Sequence, residues 1–315
     1  MKLILINNCP VCDVSLKSDL TIKYLKDPFK VVEEDFKYVN CSNCKSWILN
    51  PRPTLLEIGK FYEEDFLFDP EKSKSLKKSF IRKLADRIQE YNMISEVSLA
   101  CKHLEMNSKY LDYSAGNGQI LSLIQKRKPN CKYNATEFSK TYRDYLASLK
   151  NMEEVNKDLK DFNSDIKFDL ISLFGVLEHV QAPRKLILEL KNRLENNGKL
   201  IITVPNVNSF QRFIFGNNWY SWLAPRHWQM FTINNLKKLL EEFDMIIVDE
   251  KHFFLRTCSA TLVTSLFPYL DPLKKGGAIK MLAYGVLFYL FIPFELFASI
   301  FNRSGFMGVV VKKVN

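Results

Sequence analysis

The sequence has no secretory signal, no internal repeat and no low-complexity tract. Its apolar start, Leu3–Ile6, is four residues long, which is shorter than the hydrophobic region of a signal peptide. We therefore expect a cytoplasmic and reducing compartment, in which the seven cysteines serve as thiols or metal ligands rather than in disulfides. The 47% hydrophobic and 25% charged residues exclude wholesale disorder, collagen and coiled-coil structure.

Negative charge is in the minority. Lys and Arg total 45 against 35 Asp and Glu, which gives a net charge of +10. This excess favours an anionic partner and leaves open whether that partner is a nucleic acid, a membrane surface or a phosphorylated substrate. Composition and pattern divide the chain into an N-terminal unit, a linking amphipathic helix, an α/β domain and an apolar helical insertion, with bounds at 1–70, 71–100, 101–252 plus 307–315, and 253–306.

Two Cys-x-x-Cys pairs lie near the amino terminus, Cys9 with Cys12 and Cys41 with Cys44. Each pair can place two thiolates on one ion through a tight turn, and two such turns complete a tetrahedral site for Zn²⁺. Four protein ligands leave no open position, so we predict a structural zinc. The remaining cysteines lack this spacing and are expected as small buried apolar residues: Cys101, Cys131 and Cys258.

Residues 109–252 alternate short apolar runs with helical patterns, which is typical of a parallel α/β sheet. We expect Pro183 to open a helix and Gly198 to stop one. In the N-terminal unit, two runs have β-like composition, Phe29–Val32 and Phe36–Val39. The predicted strands of the α/β domain are Lys109–Tyr113, Lys132–Thr136, Asp169–Phe174, Lys199–Val204, Met245–Glu250 and, last, Met307–Val311.

A glycine-containing loop, Tyr110–Gly118, follows a predicted strand and opens a predicted helix. Small residues there let the backbone approach a ligand, and the helix N-terminus adds a positive dipole end. Glu137 ends the next strand, where an acid can accept hydrogen bonds from both hydroxyls of a ribose. Strand, loop, helix, strand and acid in this order indicate a cofactor site.

The loop resembles the first motif of class I S-adenosylmethionine-dependent methyltransferases, and the segments around Asp158, Phe174 and Glu178 are similar to later motifs of that family. The resemblance spans about residues 109–252. It implies a Rossmann-like, seven-stranded methyltransferase sheet, methyltransferase activity and S-adenosylmethionine as cofactor. The positions it implies for cofactor binding are Asp112, Ser114, Gly116, Gly118, Glu137, Asp158, Leu159 and Phe174.

Ser114 replaces a glycine of that motif. A serine can fit there if its φ stays negative, and the replacement leaves room for weakened cofactor binding. A dinucleotide dehydrogenase is the other interpretation of the loop, but no nicotinamide-side constellation follows. The two cysteine pairs, with Asn50–Thr54 and Phe61–Phe66, resemble bacterial methyltransferases that carry an N-terminal zinc knuckle and often belong to surface-glycan or secondary-metabolite pathways.

Methyl transfer requires a group that removes a proton from the acceptor, and histidine is the natural base near neutral pH. His227 lies in a segment with three tryptophans, which we expect to form an aromatic substrate wall; a structural histidine is the alternative. His179 is a second candidate base or, with Glu178, a metal ligand, unless it only packs at a helix start. The absence of an Asn/Asp-Pro-Pro-Tyr motif favours O-methylation of a sugar-like or lipid-linked acceptor, with C-methylation second.

The run Met281–Phe294 has no charged residue. As a helix it reaches about 21 Å, short of the roughly 30 Å hydrocarbon core. A single crossing would also prevent the last strand from rejoining the sheet. We therefore predict that 279–302 lies on the inner face of a membrane or forms a homodimer face, with two helices covering the sheet as the alternative. The basic pattern at 72–91 suits anionic headgroups or a solvated face.

Two other functions stay open. A zinc knuckle on a basic chain is compatible with an RNA methyltransferase, although the apolar insertion has no use on RNA. Ser114 is compatible with a non-catalytic module that has a degenerate cofactor site.

Overall fold

The computed structural model of the chain describes residues 1–16, 22–62, 90–272, 274 and 277–314. The predicted basic helix at 72–91 therefore lies outside the described residues, apart from its last two positions. The strands, in chain order, are β1 (Leu3–Ile4), β2 (Ile22–Leu25), β3 (Phe36–Asn40), β4 (Trp47–Leu49), β5 (Arg52–Pro53), β6 (Lys109–Asp112), β7 (Lys132–Thr136), β8 (Met152–Asn156), β9 (Phe168–Phe174), β10 (Leu194–Pro205), β11 (Gln229–Met230), β12 (Met245–Lys251) and β13 (Phe306–Lys313).

Helices alternate with the strands of the central domain and then form the insertion before β13. They are α1 (Leu55–Ile58), α2 (Ile94–His103), α3 (Gln119–Arg127), α4 (Lys140–Ala147), α5 (Pro183–Arg193), α6 (Phe210–Phe215), α7 (Ile233–Glu241), α8 (Leu255–Leu266), α9 (Ala278–Leu290) and α10 (Ile292–Ile300). Short 3₁₀ turns at Leu159–Asp161 and Leu177–His179 follow β8 and β9.

The large sheet has the order β12-β13-β10-β9-β6-β7-β8 within the described residues. Strand β13 is antiparallel to both of its neighbours, and the other pairs are parallel. The central strands are almost continuously apolar, since helices cover both faces of a parallel sheet. This confirms the predicted α/β methyltransferase sheet. Strand β8 escaped prediction because its sequence Met-Glu-Glu-Val-Asn forms a half-exposed edge strand.

The parallel strands all end at one side of this sheet, here named the carboxyl edge. Strand β10 ends there at Pro205, which pairs with Phe306 at the start of β13. Strand β12 ends there as well, because Lys251 pairs with Gly308. The insertion 252–305 therefore leaves and rejoins the sheet at the carboxyl edge.

The prediction that Gly198 stops a helix is wrong. Helix α5 begins with Pro183 as expected but ends at Arg193, and Leu194 already pairs with Phe168. A Cβ on Gly198 would lie 2.8 Å from the carbonyl oxygen of Phe168. The glycine is therefore needed for the close approach of two strands at a β-bulge.

The N-terminal unit contributes a second sheet with the order β11-β4-β3-β2. The predicted strand at Phe29–Val32 is wrong, because the Asp27 carboxylate accepts hydrogen bonds from the backbone N–H groups of Phe29 and Val31 and fixes a turn. Strand β11 comes from the α/β domain and pairs with β4. The two units are thus joined through a shared sheet.

Candidate functional site

The predicted cofactor residues gather at the carboxyl edge, where β6, β7, β8 and β9 end. The loop after β6 runs into α3, whose N-terminal N–H groups face this edge. The turn after β8 and the last residue of β9 complete the arc. Its residues are Asp112, Ser114, Gly116, Gly118, Glu137, Asp158, Leu159 and Phe174.

Glu137 lies against the loop backbone. Its Oε2 accepts a hydrogen bond from the N–H of Gly116 at 2.9 Å, and its Oε1 accepts one from Ser139 at 2.8 Å. Each carboxylate oxygen can accept a second bond, so the pair of ribose hydroxyls still fits this acid. Asp158 is engaged locally, because its Oδ1 accepts from the N–H of Leu159 at 2.6 Å and caps the turn.

The loop glycines fit the close approach of a ligand. Gly116 and Gly118 have positive φ, of 56° and 69°. A Cβ on Gly116 would meet nothing within 4 Å, which leaves the space above the loop open. A Cβ on Gly118 would lie 2.4 Å from Cδ2 of Leu146, so this glycine lets α3 pack on α4. The residues present therefore fit an S-adenosylmethionine site.

Ser114 does not meet the condition of a negative φ. Its φ is 60°, in the left-handed region. Its N–H donates to Oγ1 of Thr136 at 2.9 Å, and this bond holds the turn. A non-glycine residue in this region costs about 1–2 kcal/mol. The loop therefore keeps the backbone shape of the glycine motif at an energetic cost.

Asp112 is buried beneath the loop and hydrogen-bonded to Ser172, whose Oγ donates to Asp112 Oδ1 at 2.7 Å. The Tyr110 hydroxyl lies 2.5 Å from the same Oγ. Burial raises the pKa of Asp112 to about 7. This carboxyl therefore titrates in the neutral range.

The three predicted catalytic residues meet beside the cofactor residues. Glu178 and His179 lie in the turn after β9, and His227 lies just before β11. A carboxylate oxygen of Glu178 and one ring nitrogen from each histidine lie within 4.8 Å of one another. The centres of the two imidazole rings are 4.5 Å apart, and the ring planes are inclined to each other by 74°. Glu178 Oε1 faces Gly175, the residue directly after β9.

Burial governs the charge state of this cluster. It raises the pKa of Glu178 to about 8 and lowers the pKa of His179 to about 4. It also holds the pKa of His227 well below its usual value. Both imidazoles are therefore neutral at pH 7. His227 is both a hydrogen-bonded buried histidine and a potential proton acceptor, so the two alternatives for it coexist.

Residues of the N-terminal unit complete the cluster, although no sequence pattern predicted that they lie beside the histidines. The Tyr62 hydroxyl lies 2.9 Å from Nδ1 of His179, across 117 positions of the chain. The buried guanidinium of Arg226 lies 4.2 Å from the ring centre of Phe29 and 5.1 Å from that of Tyr62. Such pairs arise only in the folded chain.

The tryptophans do not form an open substrate wall. Trp219, Trp222 and Trp228 are at most 2% exposed and pack with Tyr38 and Trp47 of the N-terminal unit. Their apolar area holds the two units together. This corrects the expectation that they stack on a substrate.

The four cysteines of the two pairs converge. Cys9 Sγ lies 3.7 Å from Cys44 Sγ, and Cys12 Sγ lies 3.7 Å from Cys41 Sγ. Zinc–sulfur bonds of about 2.3 Å place the sulfurs of a regular tetrahedron about 3.8 Å apart. Asp13 and Lys45, one residue after each pair, share a positive φ, so the two turns have matching backbones. The donor set therefore fits a four-thiolate zinc site.

A polar groove of about 500 Å³ separates this cysteine cluster from α6 and α7. Lys45, Arg212 and Lys238 line it, and its described lining contains no carboxylate. The groove is therefore suited to an anionic group.

Comparison with known proteins identifies the fold and the family. A family model described as a methyltransferase domain matches residues 83–250, more than half of the chain. A probable (S)-tetrahydroprotoberberine N-methyltransferase 2 of Papaver bracteatum is 23% identical over 120 residues. The match covers 35% of this chain and 34% of that protein, so the chain spans about a third of the length of this curated relative.

This chain is also similar to solved structures. The [4+2]-cyclase SpnF is 15% identical with a TM-score of 0.50, covering 84% of this chain and 98% of that one. A putative sarcosine dimethylglycine methyltransferase from Galdieria sulphuraria is 14% identical with a TM-score of 0.48, covering 74% and 88%. With the seven-stranded order and the glycine loop at its carboxyl edge, the family match shows that this chain belongs to the methyltransferase-domain family.

Proposed function

We propose that this enzyme methylates a hydroxyl of a small, sugar-like or lipid-linked acceptor at the inner face of a membrane. The observation that carries the proposal is the exposed apolar surface of α9 and α10, which belongs to the insertion at the carboxyl edge. The cofactor loop lies at the same edge of the sheet. A donor site and an apolar surface that share an edge suit an acceptor with an apolar anchor.

The apolar surface follows helical spacing. Ile279, Leu282, Val286 and Leu290 recur every three or four residues along α9, and their exposed fractions lie between 59% and 85%. The opposite side of α9 is packed, since Phe288 is 2% exposed and contacts α8. Helix α10 adds further exposed apolar side chains: Leu296, Phe297 and Ile300. The surface therefore has the size and composition of a membrane-binding face.

These helices rest on the protein rather than cross the bilayer. Ile279–Ile300 is long and apolar enough to span a membrane by length and composition, and 17% of its most apolar window is buried. Within it, however, Glu295 is fully buried and accepts bonds from Gln211 at 2.8 Å and from the N–H of Gly305 at 2.9 Å. Gly305 leads directly into β13. The segment is therefore anchored to the sheet, with one side free to meet lipid.

The charge of the chain favours anionic lipid. The net charge is +10, and the polar groove with Lys45, Arg212 and Lys238 can take a phosphate of a lipid-linked acceptor. A second copy of the chain is the other occupant that an apolar face can have. Liposome binding and oligomeric state separate the two.

In the reaction, the acceptor oxygen bonds to the methyl carbon of S-adenosylmethionine as the carbon–sulfur bond breaks and its electron pair stays on sulfur. The hydroxyl proton passes to a group of the protein or to solvent. We assign its removal to the cluster at Glu178, His179 and His227, with His227 as the predicted base. The geometry supports this role, because Nδ1 of His227 lies 2.7 Å from the carbonyl oxygen of Ser221 and carries the proton, which leaves the lone pair on Nε2 to accept one.

We also propose that the cysteine cluster holds a structural zinc. The two sulfur–sulfur contacts of 3.7 Å match the spacing that a tetrahedral zinc ion imposes on its thiolate ligands. A zinc ion would stabilise all four thiolates. On the family resemblance, we also propose that the acceptor belongs to a surface-glycan pathway.

Flotation with anionic liposomes tests the membrane proposal. The full chain is compared with a Leu282→Gln and Val286→Gln double variant, and a Leu56→Gln and Met106→Gln variant is the matched control because those side chains are also highly exposed. The wild type and the control should float, and the α9 variant should stay in the pellet fraction with unchanged cofactor binding. Equal flotation of all three, or of none, contradicts the proposal.

Two further outcomes distinguish membrane binding from the alternatives. A wild type that fails to float but dimerises through α9 assigns the apolar face to a second copy. If the wild type binds total RNA with steep salt dependence and does not bind liposomes, the result favours an RNA methyltransferase.

A further inference from the structure

In the cluster of Glu178, His179 and His227, each side chain keeps an atom with a lone pair that can bind a further group. In His227, Nδ1 lies 2.7 Å from the carbonyl oxygen of Ser221. A carbonyl only accepts hydrogen bonds, so Nδ1 carries the proton and Nε2 keeps the lone pair. The tautomer of this ring is therefore fixed by the backbone.

His179 is held in the same way. Its Nδ1 lies 3.0 Å from the carbonyl oxygen of Arg226, so this nitrogen also donates and Nε2 is the one left with a lone pair. The Tyr62 hydroxyl adds a second contact to the same Nδ1 at 2.9 Å. Histidines that bind metals almost always donate their other ring N–H to a carbonyl or carboxylate, which orients the ring. Both rings show this arrangement.

Glu178 supplies the third donor. It is 1% exposed, and its Oε2 is buried with no hydrogen-bond partner among the described residues. A buried carboxyl oxygen without a hydrogen-bond partner is unfavourable unless something binds it. The backbone around it is well tied, because the carbonyl of Glu178 accepts from Trp228 N–H at 2.8 Å. The orphaned oxygen is thus held in place next to two imidazoles.

We propose that Glu178, His179 and His227 bind one divalent metal ion through Oε2 and the two Nε2 atoms. A carboxylate oxygen of Glu178 and one ring nitrogen of each histidine lie within 4.8 Å of one another, and three atoms with that spacing lie within about 2.8 Å of a common point. Inward shifts of about 0.6–0.8 Å bring such atoms to the roughly 2.0–2.2 Å of zinc–nitrogen and zinc–oxygen bonds. Two imidazoles and one carboxylate suit zinc or another borderline first-row ion.

This site differs in kind from the cysteine cluster. Three protein ligands leave an open coordination position, whereas four cysteines leave none. Glu178 lies next to Gly175, which directly follows β9 at the carboxyl edge, the edge that also carries the cofactor loop. A cation there lowers the pKa of a bound hydroxyl. This role rests on the proposed function: the hydroxyl proton would pass to solvent, because Nε2 of His227 would serve as a metal ligand and not as the base; the binding site itself does not depend on this role.

Cobalt titration of the full chain tests the site, with the cysteine cluster already loaded with zinc. The wild type should take up one Co²⁺ per chain and show visible ligand-field bands without the intense ultraviolet band of thiolate-bound cobalt. Glu178→Gln and His227→Asn should each weaken this binding at least about 10-fold. His252→Gln is the matched control, because His252 lies beside Glu250 on β12, outside the cluster. It should bind like the wild type.

The wild type alone can overturn the proposal. A chain that binds no metal ion beyond the cysteine site, measured by cobalt titration and by total zinc content, excludes it even where the variants fail to fold. Equal cobalt binding by the wild type and by folded Glu178→Gln also excludes it. Liposome flotation of Glu178→Gln should match the wild type, so failure of the metal site and failure of the membrane proposal give different results.

Discussion

The hydroxyl of Tyr38 donates a hydrogen bond of 2.6 Å to the backbone carbonyl of His227, across 189 positions of the chain. Tyr38 lies on β3 in the N-terminal unit, and His227 carries the imidazole of the candidate site. The N–H of Leu49 adds a second link, a 2.9 Å bond to the carbonyl of Trp228. The N-terminal unit thus fixes the backbone that presents His227.

Removal of this hydroxyl should therefore affect both stability and catalysis. Tyr38→Phe leaves the buried carbonyl of His227 without its partner, and we expect a loss of about 1–3 kcal/mol in the free energy of unfolding. Turnover should fall, while the affinity for S-adenosylmethionine stays unchanged. Denaturant unfolding and calorimetry check these values. Tyr24→Phe, at an exposed tyrosine, is the control, and an equal loss in both variants would contradict the link.

Loss of the proposed zinc ion should abolish turnover and leave cofactor binding intact. Because β4 and β11 share a sheet, unfolding of the cysteine turns should loosen the segment at 226–230. We expect Cys12→Ser to lose its bound zinc, lower the melting temperature and abolish turnover, with cofactor binding retained. Metal analysis and thermal unfolding check this. Cys101→Ser, at a cysteine outside the cluster, should behave like the wild type. A fully active, zinc-free Cys12→Ser would refute the structural role.

The strained Ser114 offers a stabilising substitution. Glycine relieves about 1–2 kcal/mol of left-handed strain but loses up to about 1 kcal/mol through the greater freedom of the unfolded chain. Ser114→Gly should therefore raise the free energy of unfolding by about 0.5–1 kcal/mol and bind S-adenosylmethionine at least as tightly. Asn107→Gly, at another positive φ outside the loop, is the control and should leave cofactor affinity unchanged. Destabilisation by Ser114→Gly would show that its side chain has a role of its own.

Much of this arrangement was predictable because it depends on local sequence. The paired cysteines and the loop from Asp112 to Gly118 each form within a few residues, so spacing alone predicts them. The pairing of Tyr62 with His179 and the burial of Trp219 depend on how distant segments pack, which no local pattern encodes. The role of Gly198 was not predictable for the same reason, since this glycine permits the close approach of a neighbouring strand.

The buried carboxyl of Asp112 predicts a pH effect on stability. Its pKa is about 7 in the folded protein, above the roughly 3.9 of an unfolded aspartate. At a pH between these two pKa values, the folded state binds more protons than the unfolded state. The free energy of unfolding therefore falls as the pH rises. We expect a decline of up to about 3 kcal/mol from pH 5 to pH 7.5, and Asp112→Asn should lack it.

Urea unfolding of both proteins across this pH range measures the difference. Asp165→Asn, at an exposed carboxyl, should keep the pH dependence of the wild type. Parallel curves for the wild type and Asp112→Asn would mean that Asp112 ionises in the folded protein as it does in the unfolded chain.

His227 links the predicted base to the proposed metal site, because either role requires its Nε2. We expect His227→Ala to reduce turnover at least about 100-fold, as loss of a general base typically does. Cofactor binding should be intact, since the glycine loop after β6 and Glu137 after β7 do not involve this ring. His103→Ala is the control, because His103 pairs with Asp249 outside the cluster. Full turnover by His227→Ala would remove His227 from the mechanism in both roles, whereas a loss shared with Glu178→Gln and accompanied by loss of bound cobalt would assign it to the metal.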